Sequence, residues 1–438
     1  MNSKQISSTS TKKYVTHIDL GTVAAESELD ISRQVIRANQ IQTNGLFGYT
    51  GNGVRVGMLD AGIPDINSES LINANITLDT LATSIDGHAT RVATVIAGQP
   101  NCANAVGIAP DVSLFCTAGR DLKSSFDWFV ENNIDIVNIS LGYGYVDEQK
   151  IFHPYVNSYT DIDKTVDFYS SMYSIIVVKS AGNEGIDGVT SPGMAYNAIT
   201  VAATNDKNTT TVTDDTIYSN SSYILNTSNT LASKPDISAP GENIYINGFD
   251  RAGTSYAAPH VTGAIALMGE HDALVLTSPS LVKAILATGT FSGKRFSPEQ
   301  QSGANSYMHF GSGIINCSAN AIIINNESWD YTVLYEDENN FDITISLTAG
   351  STCRIALAFE NMITSQTSNN ETTYTEHINN IDLKIYNPSG SLVASSTTDN
   401  NNLEIVEFTP TVSGQYKMRI CRADYNDLVD VRVAYAYT

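Results

Sequence analysis

No apolar run in this chain approaches the roughly 20 residues a helix needs to cross a bilayer, so a membrane-spanning protein is not expected. The amino-terminal stretch MNSKQISSTSTKKYVTHIDLG carries two lysines with no apolar segment behind them, and no signal peptide is legible in it. Cysteine is scarce. Cys102, Cys116, Cys317, Cys353 and Cys421 form no Cys-x-x-Cys pair and no zinc-ligand spacing, so no metal-ligand set is expected. Their odd number leaves at least one thiol unpaired or intermolecular. Cys353 and Cys421 lie in strand-like runs that could be bridged, but buried free thiols are the simpler expectation. Basic residues are few as well: 24 Lys and Arg stand against 46 Asp and Glu, a formal net charge of −22. So acidic a surface repels phosphate backbones and argues against a nucleic-acid partner, while its carboxylates could hold structural calcium. Internal repeats are also missing.

What is present is an ordinary globular composition, 42% hydrophobic over 438 residues, more than one core usually serves. Residues 1–44 are polar and poorly patterned and read as an arm on the surface. From Val54 onward, apolar runs alternate with helix-length stretches. VRVGMLD, VSLFCTA, IDIVNISLG, IIVVKSAGN and AITVAAT read as strands; HATRVATVIAG, SSFDWFVENN, TVDFYSSMYS and SYAAPHVTGAIALMGEH read as helices. Alternation of this kind with nearly all-apolar strands predicts an α/β domain over 45–324, a parallel sheet with helices on both faces and its site at the carboxyl ends of the strands. After about residue 325 the pattern changes to short alternating runs divided by Gly, Pro and Asn. That predicts an all-β sandwich of jelly-roll type over 325–438, with SQTSNNETTYTEHINN as a polar loop between two strands.

Four segments carry candidate chemistry. In Gly253-Thr254-Ser255-Tyr256-Ala257-Ala258-Pro259-His260 a serine stands where a helix begins, among small residues that let a peptide approach. The free N–H groups and positive end of such a helix favour an oxyanion, although serine there also suits a plain N-cap. A serine hydroxyl needs a base, and His88, opening a helix in Asp86-Gly87-His88-Ala89-Thr90-Arg91, has room around its ring. Asp60 ends the strand run Val54–Asp60, where a carboxylate is costly to bury without a partner and can fix an imidazole tautomer, or simply serve as a turn residue. Asn183, in Ser180-Ala181-Gly182-Asn183-Glu184-Gly185, follows a strand and can donate to an oxyanion, or serve the turn.

In the order Asp, His, Asn, Ser, these segments resemble the signatures of the subtilisin-like serine peptidases. VGMLDAGI resembles the aspartate motif, GHATRVATVIAG the histidine motif, SAGNEG the oxyanion asparagine and GTSYAAPHVTG the serine motif. GIAPDVSLF, DIVNISLG and KPDISAPG resemble supporting segments, and together the matches cover roughly residues 45 to 290. The resemblance implies a serine endopeptidase acting on protein or peptide substrates through Asp60, His88 and Ser255. Asn183 would serve the oxyanion, and Ser140, Leu141 and Gly142 would line the substrate cleft. It implies no cofactor for the chemistry. NNIDLKIYNPSGSLV and VEFTPTVSGQYKMRI are similar to the β-sandwich that follows the catalytic domain in some alkaline members. Three positions depart from the family: Ala61 replaces Thr or Ser, Ala89-Thr90-Arg91 replaces Gly-Thr-His, and Tyr256 replaces Met. A catalytically silent binding scaffold is the alternative that Ala61 and Arg91 suggest. A monomer is expected. A secreted location is suggested by few lysines and abundant Asn, Ser, Thr and Tyr, with the cytoplasm as the alternative. The family usually folds with a large prodomain, which the short amino-terminal arm does not resemble.

Overall fold

In a computed structural model of the chain, the described residues are 28–42, 48–100, 105–118, 121–224, 232–246, 249–297, 306–368, 371–423 and 429–438. Two short helices, α1 (Glu28–Val35) and α2 (Ala38–Gln42), come first. They overturn the expectation of a surface arm for 28–42, since Leu29, Ile36, Ala38 and Ile41 are buried in the main core. Polar Ser32 sits in that buried stripe and hides the pattern. Its hydroxyl meets His260 Nε2 at 2.8 Å.

The elements that build the main sheet are β1 (Arg55–Asp60), β2 (Ile76–Leu78), α3 (Gly87–Ala97), β3 (Ser113–Ala118), α4 (Leu122–Glu131) and β4 (Ile136–Ile139). After a hairpin, β5 (Gly144–Val146) and β6 (Phe152–Pro154), come α5 (Asp161–Tyr173), β7 (Ile176–Ser180), β8 (Ile199–Asn205), β9 (Thr216–Ile217) and β10 (Ile237–Glu242). The strand order is β10-β8-β7-β4-β1-β3-β2, parallel throughout, with β9 antiparallel on β8. Strands β1, β4 and β7 are buried on both faces, which is why they read as continuous apolar runs. The chain leaves β1 toward β2 and β3 on one side and returns to β4 on the other. The carboxyl ends of β1 and β4 therefore flank a topological switch point, where open α/β sheets present their crevice. A second hairpin, β11 (Ile244–Ile246) and β12 (Phe249–Arg251), leads to α6 (Thr254–His271), which packs on α3, β8 and β10. Helices α7 (Pro279–Thr288), α8 (Tyr307–Phe310) and α9 (Cys317–Asn325) follow.

The remaining strands are β13 (Trp329–Leu334), β14 (Asn340–Leu347), β15 (Cys353–Phe359), β16 (Met362–Ser368), β17 (Glu371–His377), β18 (Ile381–Tyr386), β19 (Leu392–Ser396), β20 (Leu403–Phe408), β21 (Gly414–Arg422) and β22 (Val431–Tyr437). They form two four-stranded antiparallel sheets, β13-β22-β15-β20 and β14-β21-β18-β19, sharing one core. Strand β15 shows how the sandwich docks. Ile355, Leu357 and Phe359 face its interior, while Ala356 and Ala358 join the core of the parallel domain, where small residues let α7 approach. Arg354 is buried at this join, donating from Nε to Ala287 O and from Nη2 to Phe296 O and Ser312 O, each at 2.9 Å.

One expectation fails in this half, and one alternative falls away. SQTSNNETTYTEHINN does not form a loop: β16 and β17 make a ribbon through most of it, in register from Met362↔His377 to Ser368↔Glu371. The ribbon packs on α5, where Tyr374 OH meets Thr165 Oγ1 at 2.9 Å and Glu376 pairs with Lys164 at 2.7 Å. No Cys353–Cys421 bridge forms. Cys353 pairs in register with Phe408 in one sheet and Cys421 with Asn340 in the other, and both thiols are free, as are Cys116 and Cys317. Cys102 lies outside the described residues. Among the described residues, no helix is long and apolar enough to cross a membrane.

Candidate functional site

Asp60 is the last residue of β1 and is 1% exposed. One carboxylate oxygen accepts the Ala61 N–H at 2.7 Å, so the backbone supplies a donor where the expected side-chain hydroxyl is missing. His88 Nδ1 lies 2.9 Å and 3.0 Å from the two Asp60 oxygens. Its position is set by a cap. The Asp86 side chain accepts from His88 N at 2.6 Å and Ala89 N at 3.0 Å, starting α3 so that the imidazole stands in the first turn. With its proton held on Nδ1 by the carboxylate, the ring keeps Nε2 as an acceptor.

Ser255 is the second residue of α6, so its N–H has no intrahelical partner. The turn into the helix needs Gly253, at φ +146°, a conformation side chains rarely adopt. Thr254 N donates to Asn183 Oδ1 at 3.0 Å and Thr254 Oγ1 donates to it at 3.3 Å. These bonds occupy the amide oxygen, which leaves the Asn183 NH2 as a donor beside Ser255. Pro259 has no N–H to return to the Ser255 carbonyl one turn earlier. Ser140 Oγ donates to that carbonyl instead, at 3.0 Å. Ser140 Oγ in turn accepts from Asn138 Nδ2 at 2.9 Å, and Asn138 Oδ1 accepts from Thr262 Oγ1 at 3.0 Å. A polar network thus ties β4 to the start of α6. Only Asn138, a polar residue inside the run DIVNISLG, hints at it in the sequence.

One sequence expectation is not met as drawn. The Ser255 hydroxyl does not bond to the imidazole; it donates to the Ser140 carbonyl at 3.0 Å. The physical reason is competition for one proton: the Ser140 carbonyl, just past the end of β4, accepts it in place of the imidazole. The remaining expected residues do converge. Ser140, Leu141, Gly142, Asn183 and Ser255 line one cavity of about 110 Å³, together with Thr190, Glu184 and Phe152 and Pro154 of the β5–β6 hairpin. The hairpin's contribution has no local signal in the sequence. Larger cavities exist, including one of about 440 Å³ beside α1 and α2, but that one shares no residue with this site. Behind the cavity wall Lys179 is fully buried, donating to the Ser180 carbonyl, to Ser180 Oγ at 3.0 Å and to Thr190 Oγ1 at 3.5 Å. Burial pulls its ammonium down to about 7, against the opposing influence of Asp163.

Metal binding has one candidate set among the described residues: Asp60, Asp86 and His88 offer ligand atoms within 4.8 Å of one another. Asp60 is already engaged by Ala61 N and the imidazole, and one Asp86 oxygen by two helix amides. The set is better described as a held imidazole than as an ion cage.

The parallel sheet, with polar groups gathered along its carboxyl edge, makes this an α/β fold with a candidate site at its switch point. Residues 51–313 match the subtilase family of S8 peptidases, more than half of the chain. The chain belongs to that family and is a serine endopeptidase of the subtilisin-like kind. It is 31% identical to subtilisin NAT of Bacillus subtilis subsp. natto over 299 residues, covering 63% of this chain and 67% of the relative. The minor extracellular protease Epr of Bacillus subtilis is 28% identical over 242 residues, covering 51% of this chain but 33% of its own length. Among solved structures, the self-cleaved protease domain of PatA aligns at 22% identity with a TM-score of 0.48, covering 63% of this chain and 98% of that one.

Proposed function

We propose that the protein hydrolyses peptide bonds through Ser255 as nucleophile, His88 as general base and Asp60 as the carboxylate that orients it. The observation that carries this reading is the Asp60–His88 contact at 2.9 Å, which holds the imidazole in the tautomer a serine can use. Rotation about χ1 takes the Ser255 hydroxyl from the Ser140 carbonyl to His88 Nε2, a change within reach because catalytic hydrogen bonds often tighten only when substrate binds. The alkoxide attacks the scissile carbonyl as the proton passes to Nε2. The oxyanion is received by Asn183 Nδ2 and the Ser255 N–H. His88 then gives its proton to the leaving amine, and water releases the acyl-enzyme. Ser140, Leu141 and Gly142 offer backbone to an extended peptide. No step needs a cofactor, and calcium is given no part in it.

We assign the chemistry to a catalytic unit over 45–324 and a supporting role to a sandwich over 325–438, in a monomer working outside the cell. A silent scaffold is the second reading, favoured by the Ser255–Ser140 hydrogen bond. A fluorophosphonate probe separates the two. Covalent labelling of Ser255, lost in Ser255→Ala, supports the enzyme; a folded sample that takes no label supports the scaffold.

A further inference from the structure

We propose that Arg91 and Tyr256 form a subsite on the leaving-group side of the scissile bond that selects an acidic side chain there; this rests on the peptidase reading above. Both positions depart from the family, and the structure brings them into contact: Arg91 Nε donates to Tyr256 OH at 3.1 Å. Tyr256 follows the nucleophile directly, is 4% exposed, and holds its ring 5.7 Å from the His88 ring at a 50° tilt. Arg91 lies one turn past His88 on α3 and folds back over the helix start, so that a Cβ at Gly87 would come within 3.3 Å of its Nη1. The guanidinium thus spans the two helix N-termini that carry the base and the nucleophile.

Two further observations point to a ligand. Arg91 is half-buried, yet among the described residues it has no ion-pair partner, in a chain with 46 acidic residues. The tyrosine occupies only Nε, leaving both Nη groups of a rigid fork that matches carboxylate geometry. The side of the bond follows from the chemistry. The cavity bordered by Asn183 and Ser255 contains neither His88, Tyr256 nor Arg91, so it takes the acyl half. The imidazole hands its proton to the leaving amine, so the groups packed on its flank face the other half. A phenol that fixes the guanidinium before substrate arrives lowers the cost of ordering it.

The test uses the full chain and three quenched peptides identical except for the residue after the cleaved bond, Glu, Gln or Lys, with the cut mapped by mass spectrometry. The Glu peptide is expected to exceed the Gln peptide about tenfold in kcat/KM, one charge-assisted contact's worth, and Lys to fall below Gln. Arg91→Met should bring the Glu/Gln ratio to about one, and Tyr256→Phe should lower it in part; the ratio is unaffected by any general loss of rate. Equal cleavage of the three peptides, or a ratio that survives Arg91→Met, overturns the subsite alone. If the folded chain cleaves none of them and takes no fluorophosphonate label, the peptidase reading falls and the subsite with it.

Discussion

Replacing Asp60 with asparagine tests the proposed relay with almost no change of shape. In the native site one carboxylate oxygen accepts the Ala61 N–H at 2.7 Å, and both oxygens lie within 3.0 Å of His88 Nδ1. Asparagine has a single acceptor oxygen. The backbone amide of Ala61 claims it, because at 1% exposure no water competes, and the new NH2 then faces Nδ1. Two donors cannot share that contact, so the ring moves its proton to Nε2 and turns Nδ1 into an acceptor. An imidazole protonated on Nε2 cannot take the Ser255 proton. The expected loss in kcat is about ten-thousand-fold, which at about 1.36 kcal/mol per decade corresponds to roughly 5.4 kcal/mol of transition-state stabilisation. KM should hardly change, because nothing in the substituted group faces the cavity. Initial rates on a chromogenic peptide, with a circular-dichroism melt to show an intact fold, measure the effect. Activity within tenfold of wild type in a folded Asp60→Asn protein would falsify the assignment of both residues.

Two other perturbations follow from the same geometry. Asn183→Ala should lower kcat by about 10²–10³-fold with little change in KM, since the amide donor acts on charge that develops only in the transition state; steady-state kinetics in which KM rises as much as kcat falls would refute that role. Lys179→Met should stabilise the protein most near and below pH 7. Burial lowers the folded pKa to about 7 from the ordinary 10.5, so the unfolded chain binds more protons between those values and wild-type stability rises with pH across that window. Denaturant melts should show the gap between variant and wild type shrinking from pH 7 toward pH 10; a constant gap would mean the charge is not what burial penalises.

The parallel half of the fold was legible because burial on both faces leaves β1, β4 and β7 almost wholly apolar, and their carboxyl ends then mark where side chains can gather. What sequence reading missed shares one cause: pattern recognition registers apolar faces, and these elements either lack one or interrupt it. The ribbon β16–β17 is mostly Ser, Thr, Gln and Glu, and is held by contacts to α5 such as Lys164–Glu376. Helix α1 keeps Ser32 in its buried stripe because His260, some 228 residues later, is there to meet it. The ring's Nδ1 is bound to Tyr256 O at 2.7 Å and burial holds the imidazole neutral, pulling it down to about 4.

The candidate site divides along the same line. Residue type and order pointed to Asp60, His88, Asn183 and Ser255, because each role needs a particular local backbone that short motifs encode. The contacts among them are tertiary, and those decided what the motifs left open. Ala61 looked like a missing hydroxyl, yet its amide supplies the donor. Pro259, by withholding an N–H, leaves the Ser255 carbonyl to Ser140, and so couples the backbone of Ser255 to the strand expected to hold substrate. Arg91 and Tyr256 looked like two independent departures, the first of them a reason to doubt catalysis. Their hydrogen bond makes them one compensated change. A lone arginine in place of the family's histidine, one turn past His88, would be a loose charge; anchored by a phenol whose ring lies 5.7 Å from that imidazole, it becomes a fixed feature of the cleft. Departures from a family pattern that touch one another therefore argue for altered specificity, whereas departures scattered without contact would argue for decay.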